Sequence, residues 1–257
     1  MKISRVNVNT QPFFSILTVA RNAEKTIAAT LTGIRQQTFK NFEFIVVDGE
    51  STDKTLHILN SNLDFINVLI SEKDDGLYDA MNKGIQLCRG KYIGIINSDD
   101  IYEEDALERI HSLAISLDRP SIIYSPMKIL GTDKVVDISH EDLIRKMIPH
   151  PSCFVPREFY SRFGAFDTNF QVAADYELML RFRSKNLPFV KISESLVSYR
   201  VGGFSSRNMK ISILETLQIQ KRYSGKPVLS IYPRFVFILL KTHARNYLNS
   251  LRLGITD

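Results

Sequence analysis

The sequence predicts an α/β protein: a mostly parallel sheet flanked by helices, followed by a basic helical extension. Three observations carry that expectation. Apolar runs alternate with amphipathic stretches four times between residues 13 and 100. The connections between them are short, and parallel neighbours joined through a helix cross over right-handedly. The runs are apolar on consecutive positions, as in strands covered on both faces.

The elements follow in order. "FFSILTVA" (13–20) reads as the first buried strand and stops at Arg21-Asn22, where Asn22 is placed to cap a helix carrying Ile27, Leu31 and Ile34 on one face. "FEFIVVD" (42–48) is the second strand, with Gly49 opening a turn and Ser51 or Thr52 expected to cap a helix through Leu56 and Leu59. "INVLIS" (66–71) is the third strand, followed by a helix with Leu77, Met81, Ile85 and Cys88 on its apolar side. "KYIGIINS" (91–98) is the fourth, ending in Asn97, Ser98, Asp99 and Asp100 before a helix from Glu103 onward. After residue 208 the alternation gives way to helix, in "MKISILETLQIQKRYSG" (209–225) and "YPRFVFILLKTHARNYLNSLRLG" (232–254). The expected organisation is a domain over 1–208, with one half at 13–100 and a second at 101–208, and the helical extension at 209–257.

Composition narrows the class. With 257 residues, 44% of them hydrophobic, the chain can bury one sizeable core. Its longest apolar run, "FVFILL" (235–240), is far short of a membrane span, and the N-terminus lacks the order of a signal peptide. Two cysteines make neither a disulfide framework nor a zinc site, and the expected compartment is the cytoplasm. Charge is uneven: residues 1–199 carry a net −3 and residues 200–257 a net +8. The basic end suits an anionic partner, such as a phosphate-bearing substrate or an anionic membrane surface. The second basic helix can equally pack on the preceding domain or on a second subunit as a homodimer. Nucleic acid is disfavoured, since no docking motif or aromatic-basic interleaving occurs.

In open α/β sheets, ligands bind beyond the carboxyl ends of the strands. Those ends bear Thr18, Arg21 and Asn22, then Asp48, then Ser71 to Asp75, then Asn97 to Asp100. The turn after the first strand, "VARNAEKT", contains no glycine, which excludes a dinucleotide fingerprint, and no Walker loop occurs. The same turn lacks the glycine- and arginine-rich character expected of a sugar nucleotidyltransferase. Phosphate is then best gripped through a divalent cation, Mn²⁺ or Mg²⁺, held by the adjacent carboxylates Asp99 and Asp100. Asp175 heads a helical face with Leu178, Met179 and Phe182. Such a carboxylate is either a helix cap or dipole-favoured acid, or a base for proton abstraction.

Three stretches, "SILTVARNAEKTIAATLTGIRQQTFKNFEFIVVDGESTDKT" (15–55), "SEKDDGLYDAMNKGI" (71–85) with "RGKYIGIINSDD" (89–100), and "GAFDTNFQVAADYELMLRF" (164–182), together resemble the family 2 glycosyltransferases, inverting enzymes of the GT-A fold. The resemblance covers most of residues 13–200, and with "YRVGGFS" (199–205) it is closest to enzymes that build bacterial surface polysaccharides. It implies a nucleotide-sugar donor, usually a UDP-sugar, and a glycan or lipid-linked acceptor. Thr18 then lines the nucleotide pocket, Asp48 accepts a hydrogen bond from the base, Asp99 lies nearer the ribose, and Asp100 binds the metal. Asp175 matches the acidic catalytic position, although Ala174 precedes it where many members carry a second acid. Asp75, Asn82 and Arg89 become nucleotide neighbours by the same match, and Arg21, at the end of the first strand, is expected to bind the nucleotide beside them. His150, between two prolines, is expected on the acceptor side, and Arg200 or Arg207 in a loop over the diphosphate. A non-catalytic carbohydrate-binding relative is the competing reading, and it would be expected to have lost these acids.

Overall fold

The computed structural model describes residues 2–5 and 11–224. The helix expected over 232–254, and with it the membrane or subunit contact of the basic tail, lies outside these residues.

The predicted strand–helix alternation is present as β1 (Lys2–Arg5), β2 (Phe14–Ala20), α1 (Ile27–Arg35), β3 (Phe42–Asp48), α2 (Thr55–Asn60), β4 (Val68–Ser71), α3 (Leu77–Leu87) and β5 (Tyr92–Ile95). β2, β3, β4 and β5 pair in parallel, with Ala20 opposite Asp48 and Asp48 opposite Ser71. Every residue of β2 is buried because both faces of the sheet are covered. Leu17, Val19, Ile45 and Val47 pack with Met81 and Ile85 of α3. Phe14, Ile16, Phe44 and Val46 pack with Ile27, Leu31 and Leu59 from the opposite side. Consecutive side chains point to opposite faces, so a continuous apolar run is what this sandwich requires.

The chain continues through β6 (Ile101–Tyr102), α4 (Ala106–Ser116), β7 (Ile122–Tyr124), β8 (Met127–Ile129), β9 (Val135–Val136), β10 (Cys153–Pro156), α5 (Arg157–Phe163), α6 (Ala174–Ser184), β11 (Phe189–Lys191), β12 (Val197–Tyr199), α7 (Phe204–Arg207) and α8 (Met209–Ser224). The large sheet is eight-stranded in the order β1-β4-β3-β2-β5-β10-β7-β11. The chain moves outward from β2 through β3 to β4, then returns to β5 on the other side of β2. That reversal marks the carboxyl ends of β2, β3 and β5 as the ligand-binding edge. β10 runs antiparallel to β5, so the residues before Cys153 run back to that same edge.

A second sheet, of order β6-β12-β8-β9, was not foreseen from the sequence. Its strands are two or three residues long, too short for a periodic pattern to declare them. It has a positional consequence. β12 is antiparallel to β6 with Val197 opposite Tyr102 and Ser198 opposite Ile101. Continuing that register brings Arg200, just past β12, against the Asp99–Asp100 pair just before β6.

Two expected helix caps fall elsewhere. α1 begins after Thr26, and Asn22 adopts a left-handed backbone (φ 51°) inside the preceding loop. Its Oδ1 accepts from Thr52 N–H at 2.8 Å, and its own N–H donates to Ser51 Oγ at 2.9 Å. Asn22, Ser51 and Thr52 therefore tie the β2–α1 loop to the β3–α2 loop. Asp53 completes the lashing by accepting from Glu24 N–H at 3.1 Å and Thr55 N–H at 2.9 Å. The reason is local: two adjacent polar loops satisfy each other's backbone better than either satisfies a helix end four residues away.

α8 packs on α6. Ile219 is fully buried, and Gln220 donates to Tyr176 Oη at 3.3 Å. Glu215 reaches under the start of α6, where its carboxylate accepts from the N–H groups of Gln171, Val172 and Ala173 at 2.7, 2.9 and 2.9 Å. A buried acid from another helix thus satisfies amides leading into α6, whose N-cap residue, Ala173, has no side-chain acceptor to do so. Glu215→Ala is expected to cost at least about 1–3 kcal/mol, the usual penalty for leaving buried donors unsatisfied. Denaturant unfolding measures it, and an unchanged midpoint would show that water replaces the carboxylate.

Candidate active site

Three polar groupings lie at or beside the carboxyl edge of the sheet. The first centres on Asp48, the last residue of β3 and fully buried. Its Oδ2 accepts from Ser71 Oγ at 2.7 Å and from Ser51 N–H at 3.2 Å, while Oδ1 has no partner among the described residues. The hydroxyl of Thr18, also buried, lies on the same face of the sheet and is likewise unpartnered there. A buried acceptor without a donor is costly, so an unpaired carboxylate oxygen at a strand end suits a ligand that brings an N–H. Above it, Asp74 accepts from Gly76 N–H at 3.0 Å and stands 3.9 Å from the Arg21 guanidinium. A side chain on Gly49 would displace the Asp74 carboxylate, so that turn and Asp74 pack closely. Arg21 therefore sits where the sequence placed it. Asp75, by contrast, is exposed, and the acid that faces this corner is its neighbour Asp74. Nothing in "DDG" distinguishes the two; the turn into α3 does.

The second grouping is Asn97, Asp99 and Asp100, where β5 gives way to β6. Asp100 is 3% exposed. Its Oδ2 accepts from Asn97 Nδ2 at 2.9 Å and its Oδ1 from Arg200 N–H at 3.2 Å. Burial, and then the charge of Asp99, pushes its carboxyl up to about 7. Burial also raises Asp99, opposed by the positive charges of Arg200 and Arg207. Gly203, in the β12–α7 turn, lies beside Asp99 Oδ2. The loop "YRVGG" therefore crosses directly over the acid pair.

The third grouping holds Asp175, the second residue of α6. It is partly buried and is not the helix cap, which is Ala173. Its Oδ1 accepts from Tyr78 Oη and from Tyr176 N–H, both at 2.9 Å. Burial pushes the carboxyl up to about 6 even though both bonds favour its charged form. Tyr78 belongs to the first turn of α3, a few residues beyond Asp74, so one turn links the Asp48 corner to Asp175.

Other expected residues lie apart from these groupings. Asn82 exchanges hydrogen bonds with the backbone of Phe166, donating to its carbonyl and accepting from its N–H, both at 2.9 Å. Its amide thus clamps the "GAFD" turn to α3. Arg89 binds the buried Glu43, with Nε donating at 3.0 Å and its own N–H at 2.6 Å. Glu43 and Ser15 stand at the amino ends of β3 and β2. At about 3.3 Å per residue, Arg89 is therefore some 17 Å from the edge that carries Asp48, and the fold does not bring it there. Gly90 is glycine because a side chain would strike the Ser15 backbone. His150 is buried near the carboxyl end of β5, its ring edge-on to Phe166 at 5.3 Å, and burial lowers it to about 4. It is a neutral wall element at neutral pH. Behind the first turn of α6 a separate concavity is lined by Arg145, Met147, Tyr176, Ser205, Thr216 and Gln220.

Taken together, the carboxyl edge of this α/β sheet bears an enzyme-like site: a buried carboxylate with an unpaired oxygen, an acid pair under a basic loop, and a carboxyl raised toward neutrality. Residues 15–170 match the family model described as glycosyl transferase family 2, and the chain belongs to that family. It is 28% identical over 234 residues to the PGL/p-HBAD biosynthesis glycosyltransferase of Mycobacterium bovis, covering 87% of this chain and 91% of that protein. In fold it is similar to Staphylococcus aureus TarS 1–349 in complex with UDP-GlcNAc (TM-score 0.62, 17% identity, 82% of this chain and 71% of that one). It is also similar to the mannosyltransferase PcManGT of Pyrobaculum calidifontis in complex with GDP-Man and Mn²⁺ (TM-score 0.67, 15% identity, 85% and 66%). The chain spans 42% of the longer TarS chain. The mixed α/β architecture expected from the sequence is thus the one these enzymes share. The family match ends at residue 170, before Asp175, α7 and α8.

Proposed function

We propose that this glycosyltransferase moves a sugar from a UDP-sugar to a hydroxyl of a glycan or lipid-linked acceptor, with inversion, in bacterial surface polysaccharide assembly. The observation that carries the reading is the carboxyl of Asp175, raised to about 6 and held by Tyr78, beside the edge that also bears Asp48 and the Asp99–Asp100 pair. Asp175 takes the proton of the acceptor hydroxyl as its oxygen bonds to the anomeric carbon. The bond from that carbon to the donor's diphosphate breaks, and the electron pair leaves with the diphosphate. One displacement suffices, without a covalent intermediate.

Asp48 Oδ1 accepts from the uracil N–H, and Thr18 lines the same pocket. Asp99 faces the ribose, and Arg200 and Arg207 lie over the diphosphate. Among the described residues no grouping of three or more His, Cys, Asp and Glu side chains could hold a metal ion. The adjacent carboxylates of Asp99 and Asp100 nevertheless fit Mn²⁺ or Mg²⁺, because such ions take one or two carboxylates and fill the remaining positions with phosphate oxygens and water. Burial first, and then the charge of Asp99, disfavours ionised Asp100, and a divalent charge offsets both. When bound, the ion stabilises negative charge on the departing diphosphate.

Among the described residues no helix is long and apolar enough to cross a membrane. Exposed Val201, Phe204, Met209 and Leu214, with Arg207 and Lys210 between them, support peripheral contact with an anionic membrane surface from α7 and α8.

A screen of UDP-, GDP- and ADP-sugars for donor hydrolysis and transfer, with Mn²⁺ and with EDTA, tests the reading. Asp48→Ala is expected to weaken UDP binding by about 1.5–3 kcal/mol, the worth of a hydrogen bond to a charged group. Calorimetry showing equal wild-type affinity for UDP and ADP would contradict the base assignment.

A further inference from the structure

We propose that Tyr78 is a positioning residue for sugar transfer, sharing its phenolic proton between Asp175 and the Val172 carbonyl so that Asp175 is held in its ionised form and aimed at the acceptor. This rests on the reading of Asp175 as the base.

Tyr78 Oη lies 2.9 Å from Asp175 Oδ1 and 2.8 Å from Val172 O. A phenol carries one proton, so it serves only one of these acceptors at a time, and the amide carbonyl can only accept. When Asp175 is ionised, the charged oxygen is the stronger acceptor and takes the bond. When Asp175 has received the acceptor's proton on Oδ2, the charge on Oδ1 falls and the phenol turns to Val172. The hydroxyl is satisfied in both states, and the stronger of its two bonds is made to the form that acts as base. Both Tyr78 Oη and Tyr176 N–H donate to Oδ1, which among the described residues leaves Oδ2 for the acceptor hydroxyl.

The surroundings set the direction. Glu215 of α8 opposes ionisation of Asp175, Cys153 of β10 lies within reach of its charge, and Tyr176 N–H favours the carboxylate from its own helix. Tyr78 is the side-chain donor supplied by a facing element. Its ring is 4% exposed and rests on Phe166 at 5.2 Å, so the hydroxyl cannot swing away. Its own ionisation is suppressed by burial and by the neighbouring carboxylate, so it stays a donor throughout the working pH range.

Tyr78→Phe keeps the ring and removes the proton. The acid limb of the transfer rate should move up by about one pH unit, the scale of one hydrogen bond to a charged group. Below the wild-type midpoint the rate then drops about tenfold, with a smaller loss on the plateau and unchanged UDP affinity. Incorporating 3,5-difluorotyrosine at position 78 strengthens the donor without changing its shape, and should move the limb down. A limb that stays in place in both proteins overturns the proposal, even with a lowered rate or melting temperature. Asp175→Asn separates the two readings. If it retains transfer, the base assignment fails. If it is inactive while the limb ignores Tyr78, the positioning role alone fails.

Discussion

Replacing Asp175 with asparagine is expected to cut sugar transfer by about 10²–10⁴-fold, the usual contribution of a general base, while UDP affinity stays near wild type. Asparagine retains an oxygen to accept from Tyr78 and Tyr176, so the loss is that of a proton acceptor and not of shape. The pH dependence is a second signature. Burial holds the carboxyl at about 6, above its ordinary value of 3.8, so wild-type activity should fall as pH drops through about 6. That limb should be absent from the residual rate of the variant. Stability moves the opposite way. A carboxyl raised in the folded state favours folding at low pH, and that contribution is lost as pH rises from about 4 through about 6. The asparagine variant carries no such penalty at pH 7.5 and should melt at or above the wild-type temperature. A helix-stabilising acid predicts the reverse, a lower melting temperature with near-normal turnover, and that outcome would place the base elsewhere.

Asp100→Asn is expected to lower transfer by at least about 10²–10³-fold, as removal of an electrostatic stabiliser commonly does. It should also abolish the effect of Mn²⁺ on donor affinity. The substitution leaves an acceptor for Arg200 N–H, and Asn97 keeps a partner by turning its amide so that its oxygen accepts, so the charge is the main thing removed. Chelation of the wild-type protein with EDTA should reproduce the variant's donor affinity, and added Mn²⁺ should rescue only the wild type. Because burial and Asp99 hold Asp100 at about 7, protons compete with the ion below that value. The metal-dependent part of donor binding should therefore fade as pH drops through about 7. Full transfer in EDTA would remove the ion from the reaction.

Much of the carboxyl edge is legible in the chain itself, because strand ends are declared by where apolar runs stop. "FEFIVVD" ends in Asp48 and "YIGIINSDD" in the acid pair, and parallel pairing then brings both to one edge. Loop detail was not legible in the same way. Asn22, Ser51 and Thr52 have the composition of caps, but their hydrogen bonds go to one another across two loops 29 or 30 residues apart. Asp74 and Asp75 are adjacent and alike in sequence, and only the backbone turn at Gly49 and Gly76 decides which faces the site. Arg89 was expected beside the nucleotide through the family resemblance. It belongs to the far edge because a strand's two ends are separated by its full length.

The sequence by itself determined the α/β class, the order of strands and helices between residues 13 and 100, the carboxylates at their ends, and the lack of a glycine-rich turn after the first strand. These follow from periodicity and residue type, which are local properties. The tertiary structure alone decided what surrounds each carboxylate. Tyr78 reads as a core aromatic on the α3 helix, and it reaches Asp175, 97 residues away, only through the packing of α3 against the start of α6. Glu215 reads as one acid on a basic helix, and it becomes the N-terminal anchor of α6 only when α8 lies against it. Arg200 meets Asp100 through the register of two-residue and three-residue strands. Each of these contacts joins segments far apart in the chain. Its energy depends on burial and distance, which no sequence window contains, so only the packed molecule sets the protonation and aim of the acids that the sequence supplies.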